Sequence, residues 1–130
     1  MTLKVATVTV VVDDYDRAIA FYCGVLGLTL AEDTLLAPSK RWVIVTGSGG
    51  ARLLLAEADG EQQMEAIGNQ TGGRVGFFLE TDDFERDHAR LVMAGVSFLE
   101  APRHEPYGSV AVFEDPFGNK WDLIQPKTAN

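Results

Sequence analysis

The side chains best suited to acid–base chemistry lie in a short polar loop near the C-terminus. His104, Glu105 and Tyr107 occur together in a stretch that also contains prolines. Histidine exchanges a proton near neutral pH, and an adjacent carboxylate can fix its tautomer. Because loops at the mouth of a binding site often carry specificity, we expect His104 and Tyr107 to contact a ligand. A solvated loop without a chemical role is the alternative interpretation.

Two other reactive side chains are predicted to be structural. His88 lies one turn from Phe84 and Leu91 on a predicted helix, so we expect it to pack against its neighbours rather than bind a ligand. Cys23 follows Tyr22 on an earlier helix and is expected to be a small buried hydrophobe rather than a nucleophile. A single cysteine forms no internal disulfide and suits a reducing compartment.

The overall composition excludes several classes of protein. The chain has 130 residues, a formal net charge of −8 and 46% hydrophobic residues. An acidic chain is a poor partner for nucleic acid, although it suits a cationic ligand. The hydrophobic content fills one core of ordinary size. No run approaches the ~20 apolar residues that span a membrane, and no secretory signal is recognised. These features predict a soluble, cytoplasmic domain with no membrane partner.

Predicted strands place several side chains on a candidate binding surface. Residues 5–12 are almost all β-branched, and the period of two in a strand puts Thr7 and Thr9 on one face. Trp42 lies on another predicted strand. A tryptophan in a strand usually belongs to the core, but an aromatic wall also suits flat ligands.

A strand is also predicted over residues 75–81, where Gly76 and Phe78 lie two residues apart and share a face. Gly76 is expected to leave space beside Phe78 for a ligand.

One unit occurs twice in the chain. The segments Asp14-Tyr15-Asp16-Arg17 and Asp83-Phe84-Glu85-Arg86 share a pattern of acidic, aromatic, acidic and arginine residues. Each follows a predicted strand. Asp13 or Asp14 in the first copy, and Asp82 or Asp83 in the second, can cap the helix that follows. The offset is 69 residues at the aspartates and 68 at the closing glycines, Gly27 and Gly95. The sequence therefore predicts two strand–helix–strand–strand–strand repeats, residues 5–58 and 74–126, joined by a polar linker, residues 59–73.

This pattern resembles the vicinal oxygen chelate superfamily, which includes glyoxalase I, bleomycin-resistance proteins, fosfomycin-resistance enzymes and extradiol dioxygenases. The resemblance is carried by residues 12–22, by Leu26-Gly27-Leu28, and by residues 113–123, which include Asp115-Pro116-Phe117-Gly118-Asn119. It implies an α+β fold in which two βαβββ repeats form curved, antiparallel-rich sheets around a cup. It also implies a single glyoxalase-like domain over residues 1–130 and assembly as a homodimer.

In metal-using members of that superfamily, four side chains on the first and last strands of the repeats hold one divalent ion, and they are typically His or Glu. The register of the repeat carries these positions onto Thr7, Leu54, Gly76 and Asp122. A transition-metal site needs about three or four His, Cys or carboxylate ligands, and here only Asp122 qualifies. The resemblance therefore predicts a degenerate metal site, with no metal and no other cofactor.

Asp122 is the one carboxylate at these four positions. In a cup it would orient a cationic or hydroxylated ligand, or act as a general base if burial raised its pKa. Alternatively, it pairs with Lys120 or faces water. The ligand contacts expected from the sequence are Thr7, Thr9, Trp42, Leu54, Gly76, Phe78, His104, Tyr107 and Asp122.

Three functions fit these features. The first is a protein that binds a small organic molecule or drug in its cup without a metal, as in the bleomycin-resistance branch. The second is a lyase, isomerase or dioxygenase of the same superfamily, with a metal held through Asp122 or with metal-free acid–base work by Asp122, His104 and Tyr107. The third is an interaction module whose cup is filled by its own side chains. No catalytic residue is assigned.

Overall fold

The structure, a computed structural model, describes residues 2–127. The fold is mixed α+β, and in this part of the chain nine strands form two curved sheets, of four and five strands. The chain divides into two compact units between Ile67 and Gly68. None of the helices in residues 2–127 is long and apolar enough to cross a membrane.

The first unit is a strand, a helix and three further strands, followed by a short helix. The sheet order is β1-β4-β3-β2; β1 and β4 run parallel, and the other pairs are antiparallel. Its elements are β1 (Thr7–Val12), α1 (Tyr15–Ile19), which continues as a π-helical segment (Ala20–Val25), β2 (Thr29–Ala37), β3 (Lys40–Thr46), β4 (Arg52–Glu57) and α2 (Glu61–Ala66).

The second unit repeats this plan with one extra strand. The sheet order is β5-β9-β8-β6, with β7 also paired to β8, and the parallel pair is again the first strand with the last, β5 with β9. Its elements are β5 (Val75–Glu80), α3 (Phe84–Met93), β6 (Ser97–Phe98), β7 (Arg103–Glu105), β8 (Gly108–Glu114) and β9 (Lys120–Pro126). The predicted α+β fold with antiparallel-rich sheets is confirmed.

Within each of the two sheets the strands pair in an equivalent register, as the internal repeat predicts. In each unit the last strand lies between the first strand and the next-to-last strand, its partner in the final hairpin. The residue offsets are 69 on the first strand and 68 on the other two. The equivalent pairs are Thr9 with Leu54 and Phe78 with Asp122, and Ile44 with Leu54 and Val112 with Asp122.

The repeat extends to the helix caps. The carboxylate of Asp14 accepts a hydrogen bond from the backbone N–H of Arg17 at 2.8 Å, and that of Asp83 accepts from Arg86 at 3.1 Å. Of the two aspartates predicted as possible caps in each repeat, Asp14 and Asp83 are the ones that cap the helices. The last strand of each unit supplies a second acceptor, because Glu57 accepts from the N–H of Tyr15 and Gln125 from that of Phe84. These long-range bonds fix each helix to its own sheet.

Two predicted segments differ from the structure. The helix expected from Asp14 to Gly27 changes to π geometry over Ala20–Val25, although it ends at Gly27 with the expected positive φ of 85°. The loop expected over residues 101–108 contains β7, because a tight turn at Pro106 and Tyr107 lets Arg103–Glu105 pair with β8. Backbone pairing with a neighbouring strand thus overrides the loop composition of that segment.

Helices α1 and α3 each pack on one face of the sheet of their own unit, so each unit has a separate core. In the second unit, Trp121 is buried and lies between Phe77 and Phe113, with ring centroids 4.7 Å and 5.9 Å away. His88 of α3 stacks between Phe84 and Phe98, at 5.5 Å and 4.4 Å. The prediction of a packed helix histidine is confirmed. In the first unit the fully buried sheet residues are Val10, Val12, Val43, Ile44, Val45 and Leu55.

The turn between β8 and β9 is organised by the buried carboxylate of Asp115. One carboxylate oxygen accepts from the N–H groups of Phe117 and Asn119, both at 3.0 Å. The other accepts from the Asn119 side-chain amide at 2.9 Å and from the Trp121 indole at 3.0 Å. This turn is therefore tied directly to the aromatic core through Trp121.

In the segment expected to be a solvated linker, Gly68 packs closely against the backbone of the second unit. Most of residues 59–73 are exposed, and the short helix α2 forms within this segment. Gly68, however, has a φ of +71° and lies so close to Phe117 that a Cβ atom would overlap the carbonyl there. Gly72 has a similar φ of +68°, and the space where its Cβ would stand is open.

Replacing the turn carboxylate, Asp115→Ala, should lower the free energy of unfolding by about 3 kcal/mol or more, because four donors lose a buried acceptor. Urea denaturation followed by tryptophan fluorescence measures this change. Asp59→Ala, which removes an exposed carboxylate, is the control and should change stability by less than about 0.5 kcal/mol. Equal stability of the two variants would mean that the turn does not depend on this carboxylate.

Substituting alanine for Gly72 and for Gly68 distinguishes the energetic cost of backbone strain from the cost of steric overlap. Gly72→Ala should cost about 1 kcal/mol, since only the left-handed conformation opposes it. Gly68→Ala should cost at least about 2 kcal/mol more, because its methyl group also meets the Phe117 backbone. Thermal unfolding of both variants tests this; similar losses would show that the Gly68 contact opens without cost.

Candidate functional site

The candidate site is the face of the second sheet that points away from α3. Residues alternate between the two faces of a strand, and Trp121 and Phe113 occupy the helix side. Asp122 therefore faces the other way, together with its cross-strand neighbours Phe78 and Val112. Phe78 is 66% exposed, whereas Asp122 is 8% exposed. A free aromatic ring thus lies beside a buried carboxylate.

The carboxylate of Asp122 is incompletely hydrogen-bonded. Its Oδ1 atom is buried and has no hydrogen-bond partner, the only such side-chain atom within residues 2–127. Burial raises the pKa of this carboxyl group; the positive charge of Arg103 opposes the rise and the negative charge of Glu100 adds to it. Of the two predicted environments for Asp122, the buried one is correct, and the structure gives it no pairing with Lys120.

Two charged residues that were not singled out from the sequence, Arg103 and Glu100, lie near Asp122. Arg103 forms salt bridges with Glu100 at 3.0 Å and with Glu105 at 2.9 Å. Glu100 also accepts from the backbone N–H of Val112 at 3.3 Å. The carboxylates of Glu100 and Glu105, and the Tyr107 side chain to a smaller extent, raise the pKa of the Arg103 guanidinium, which therefore stays charged.

The loop that holds His104 and Tyr107 presents its side chains on both faces of the second sheet. Arg103 pairs with Val110, which places it on the Asp122 side of the sheet, whereas His104 pairs with Ser109 on the other side. The His104 Nδ1 atom lies 3.0 Å from the Ser109 hydroxyl, and both residues are outside the buried core. Tyr107 is 55% exposed and interacts with Arg103. Tyr107 thus lies near the candidate site, and His104 does not point toward Asp122.

The space expected at Gly76 is occupied. A Cβ atom built on Gly76 would lie 2.7 Å from the Thr71 methyl group, so that side chain already covers the glycine. The Thr71 hydroxyl is held by the Arg74 carbonyl at 2.7 Å. The expectation of an open space at Gly76 is therefore wrong, because residues just before β5 fold over it.

The corresponding face of the first sheet carries both polar and apolar side chains, and in the described residues none of its buried side-chain atoms lacks a hydrogen-bond partner. Thr7 and Thr9 are exposed, and Leu54 is half-buried at the position equivalent to Asp122. Trp42 is 40% exposed. Its indole N–H donates to Glu32 at 3.1 Å, and Arg52 forms a 2.9 Å salt bridge with the same carboxylate.

Glu32, like Glu100, was not identified from the sequence. The two lie 68 residues apart, so the repeat offset could have singled them out.

Cys23 is half-buried and free, and burial raises the pKa of its thiol. A raised pKa reduces the thiolate fraction at neutral pH, so the prediction that Cys23 is not a nucleophile agrees with its surroundings.

The positions that correspond to a metal site do not fit a transition-metal ion. Thr7, Leu54 and Gly76 provide no strong ligand, and Asp122 provides one carboxylate. Within residues 2–127, no group of three His, Cys, Asp or Glu side chains is arranged to hold a metal ion. We therefore assign no chemistry to a metal.

Residues 4–123 match the family model described as Glyoxalase/Bleomycin resistance protein/Dioxygenase superfamily. The chain belongs to this superfamily. The match spans both units, in agreement with the resemblance drawn from the repeated helix start and the Asp115 turn.

Several proteins are similar to this chain over nearly their whole length. An uncharacterized protein of Shewanella frigidimarina (strain NCIMB 400) is 50% identical over 128 residues, covering 96% of this chain and 95% of that protein. The crystal structure of UcmS2 superposes with a TM-score of 0.81 at 28% identity, covering 95% of this chain and 98% of UcmS2. TnmS3, an antibiotic binding protein from Streptomyces sp. CB03234, superposes with a TM-score of 0.78 at 32% identity, covering 98% and 99%.

Removing the buried carboxylate, Asp122→Leu, should raise the free energy of unfolding at pH 7 by about 1 kcal/mol, since an unpaired buried acceptor is replaced by the residue type found at Leu54. The raised pKa means that the folded wild-type protein binds the proton more tightly than the unfolded chain. Its stability therefore increases as the pH falls, and the advantage of the variant should shrink toward pH ~4.

Urea denaturation of both proteins at several pH values measures this difference. The reciprocal variant Leu54→Asp is the control and should lose stability at pH 7. A less stable Asp122→Leu protein at pH 7 would contradict an unpaired carboxylate.

Proposed function

We propose that this protein binds a small organic molecule on the exposed face of its second sheet and has no catalytic role. The observation that carries the proposal is the pairing of Phe78 with Asp122. An exposed aromatic ring offers a surface for an apolar ligand, and one convergent polar group beside it supplies orientation, which is the usual composition of a small-molecule site. Tyr107 and Arg103 border the same face.

Two further observations support a binding role. TnmS3, which shares 32% identity with this chain over almost its whole length, is an antibiotic binding protein. Within the units, Phe78 and Trp42 remain exposed rather than packed. An interaction module with a plugged cup would instead bury such rings, so that alternative is less well supported.

A superfamily enzyme is the second candidate. The raised pKa of Asp122 suits a general base. Such a base also needs groups that stabilise charge or move a second proton. Of the residues expected to do so, Tyr107 borders the face, but His104 is on the opposite side of its strand. A metal-dependent lyase, isomerase or dioxygenase would need ligands that the four equivalent positions do not provide.

We also propose that the protein works as a homodimer in the cytoplasm. Strand β2 is exposed along its whole length and carries Leu30, Leu35 and Leu36 on its surface. An exposed apolar edge strand is a favourable surface for association. Cys23, a single free thiol, suits a reducing compartment. Light scattering coupled to size exclusion gives the mass in solution, and a monomer at micromolar concentration would refute the dimer.

Ligand binding is tested by titrating ¹⁵N-labelled protein with a collection of small aromatic compounds and following the amide shifts. The largest shifts should fall on residues of β5, β8 and β9 around Phe78 and Asp122. Phe78→Ala should weaken the compounds that bind there about tenfold, because their rings lose an apolar contact. Met93→Ala, which removes an exposed side chain on α3, is the control and should leave affinity unchanged. Shifts confined to other surfaces would refute the proposed site.

Metal analysis distinguishes binding from metal-dependent catalysis. Protein purified without a tag, and then supplied with zinc, nickel, iron and manganese, should retain less than stoichiometric metal. One tightly bound ion per chain that is lost in Asp122→Ala would overturn the metal-free proposal.

A further inference from the structure

We propose that Asp122 selects aromatic ligands that carry a hydroxyl or amine hydrogen, which such a ligand donates to Oδ1 while its ring lies against Phe78. This inference rests on the proposed binding function and specifies the ligand class for the same site.

The argument begins with the unsatisfied acceptor. Buried polar atoms in proteins almost always have hydrogen-bond partners, and an exception requires an explanation. Asp115, the other buried aspartate near β9, receives four donors on its two oxygens. Asp122 Oδ1 receives none. A ligand that carries a hydrogen-bond donor would satisfy this oxygen.

The neighbouring side chains do not supply that donor. Glu100 is itself an acceptor, and it takes the backbone N–H of Val112. Arg103 has donors, but its guanidinium is engaged by Glu100 and Glu105 at 2.9–3.1 Å. The positive charge of Arg103 therefore acts on Asp122 without a direct hydrogen bond. Among the buried side-chain atoms of residues 2–127, this oxygen alone has no hydrogen-bond partner.

The position of that oxygen determines where the ring and the donor group of the ligand must lie. Phe78 is the cross-strand neighbour of Asp122, and paired residues on adjacent strands lie about 5 Å apart on the same face. A ligand whose ring covers Phe78 therefore places a substituent at the edge of the ring near the Asp122 carboxylate, and rotation of that carboxylate about its Cβ–Cγ bond presents the unpaired oxygen to the substituent. An O–H or N–H group there gains a hydrogen bond to a carboxylate, whereas an ether oxygen in the same place meets a second acceptor.

The first unit provides an internal comparison. Its residue equivalent to Asp122 is Leu54, and the indole N–H of Trp42 already donates to Glu32. That face offers an aromatic surface with no buried oxygen in need of a partner. The selectivity for a donor group therefore belongs to the second sheet alone.

A matched pair of probes tests the selectivity. We would titrate ¹⁵N-labelled protein with 7-hydroxycoumarin and with 7-methoxycoumarin, slightly below pH 7, where the hydroxyl keeps its proton. The two differ in one donor group. The hydroxyl compound should bind about tenfold more tightly, the effect of one charge-assisted hydrogen bond, and should shift amides of β5, β8 and β9.

Variants locate the effect at Asp122. Asp122→Leu should bind both coumarins equally, with the methoxy compound bound at least as well as by the wild type. Asp122→Asn, which preserves the size of the side chain, should reduce the preference to about threefold or less, because a neutral acceptor forms a weaker bond. Glu80→Gln changes an exposed carboxylate on β5 and should retain the full preference.

The outcomes separate this inference from the proposed function. If both coumarins bind the wild-type face equally, or if Asp122→Leu keeps the preference, donor selection by Asp122 is refuted and the binding function stands. If neither compound shifts residues of β5, β8 or β9, the selectivity and the proposed site are both refuted. A tenfold preference that is lost in Asp122→Leu, reduced in Asp122→Asn and retained in Glu80→Gln supports the inference.

Discussion

The parallel pairing of the first strand with the last strand of each unit is the constraint on which the site depends. Parallel neighbours need a long connection, which here runs through a helix and two or more strands. The helix is then capped from the last strand, by Glu57 in one unit and Gln125 in the other. The parallel pairing therefore determines the register of the strands, the position of the helix, and which side chains lie on the face away from the helix. The juxtaposition of Phe78 and Asp122 is a direct result of this pairing.

The fold was largely predictable because its signals are local and occur twice. The caps at Asp14 and Asp83 are short-range motifs, and a fixed offset allowed one unit to predict the other. The candidate site was only partly predictable. Asp122 was identified by position, but its missing partner depends on where Arg103 directs its donors. Loop composition concealed β7, and so the separation of His104 from Asp122 across the strand was missed.

The two buried aspartates near the last strand show how similar residues take opposite roles. Asp115 stabilises a turn because every nearby donor converges on it. Asp122 lies a few residues further on, in a sheet whose backbone groups are already paired, and its neighbours bond to one another. The first arrangement contributes stability. The arrangement around Asp122 lowers stability, and natural proteins tolerate such features where a function benefits from them.

The register shared by the two units has an evolutionary consequence. Once a unit is present twice in one chain, each copy is free to change without its twin. Leucine at position 54 keeps the apolar contact of the sheet, while aspartate at position 122 introduces a polar group that one sheet alone has to accommodate. Duplication thus lets one half maintain the architecture while the other half explores new chemistry. Divergence among descendants of such a chain should therefore concentrate on the face around Asp122.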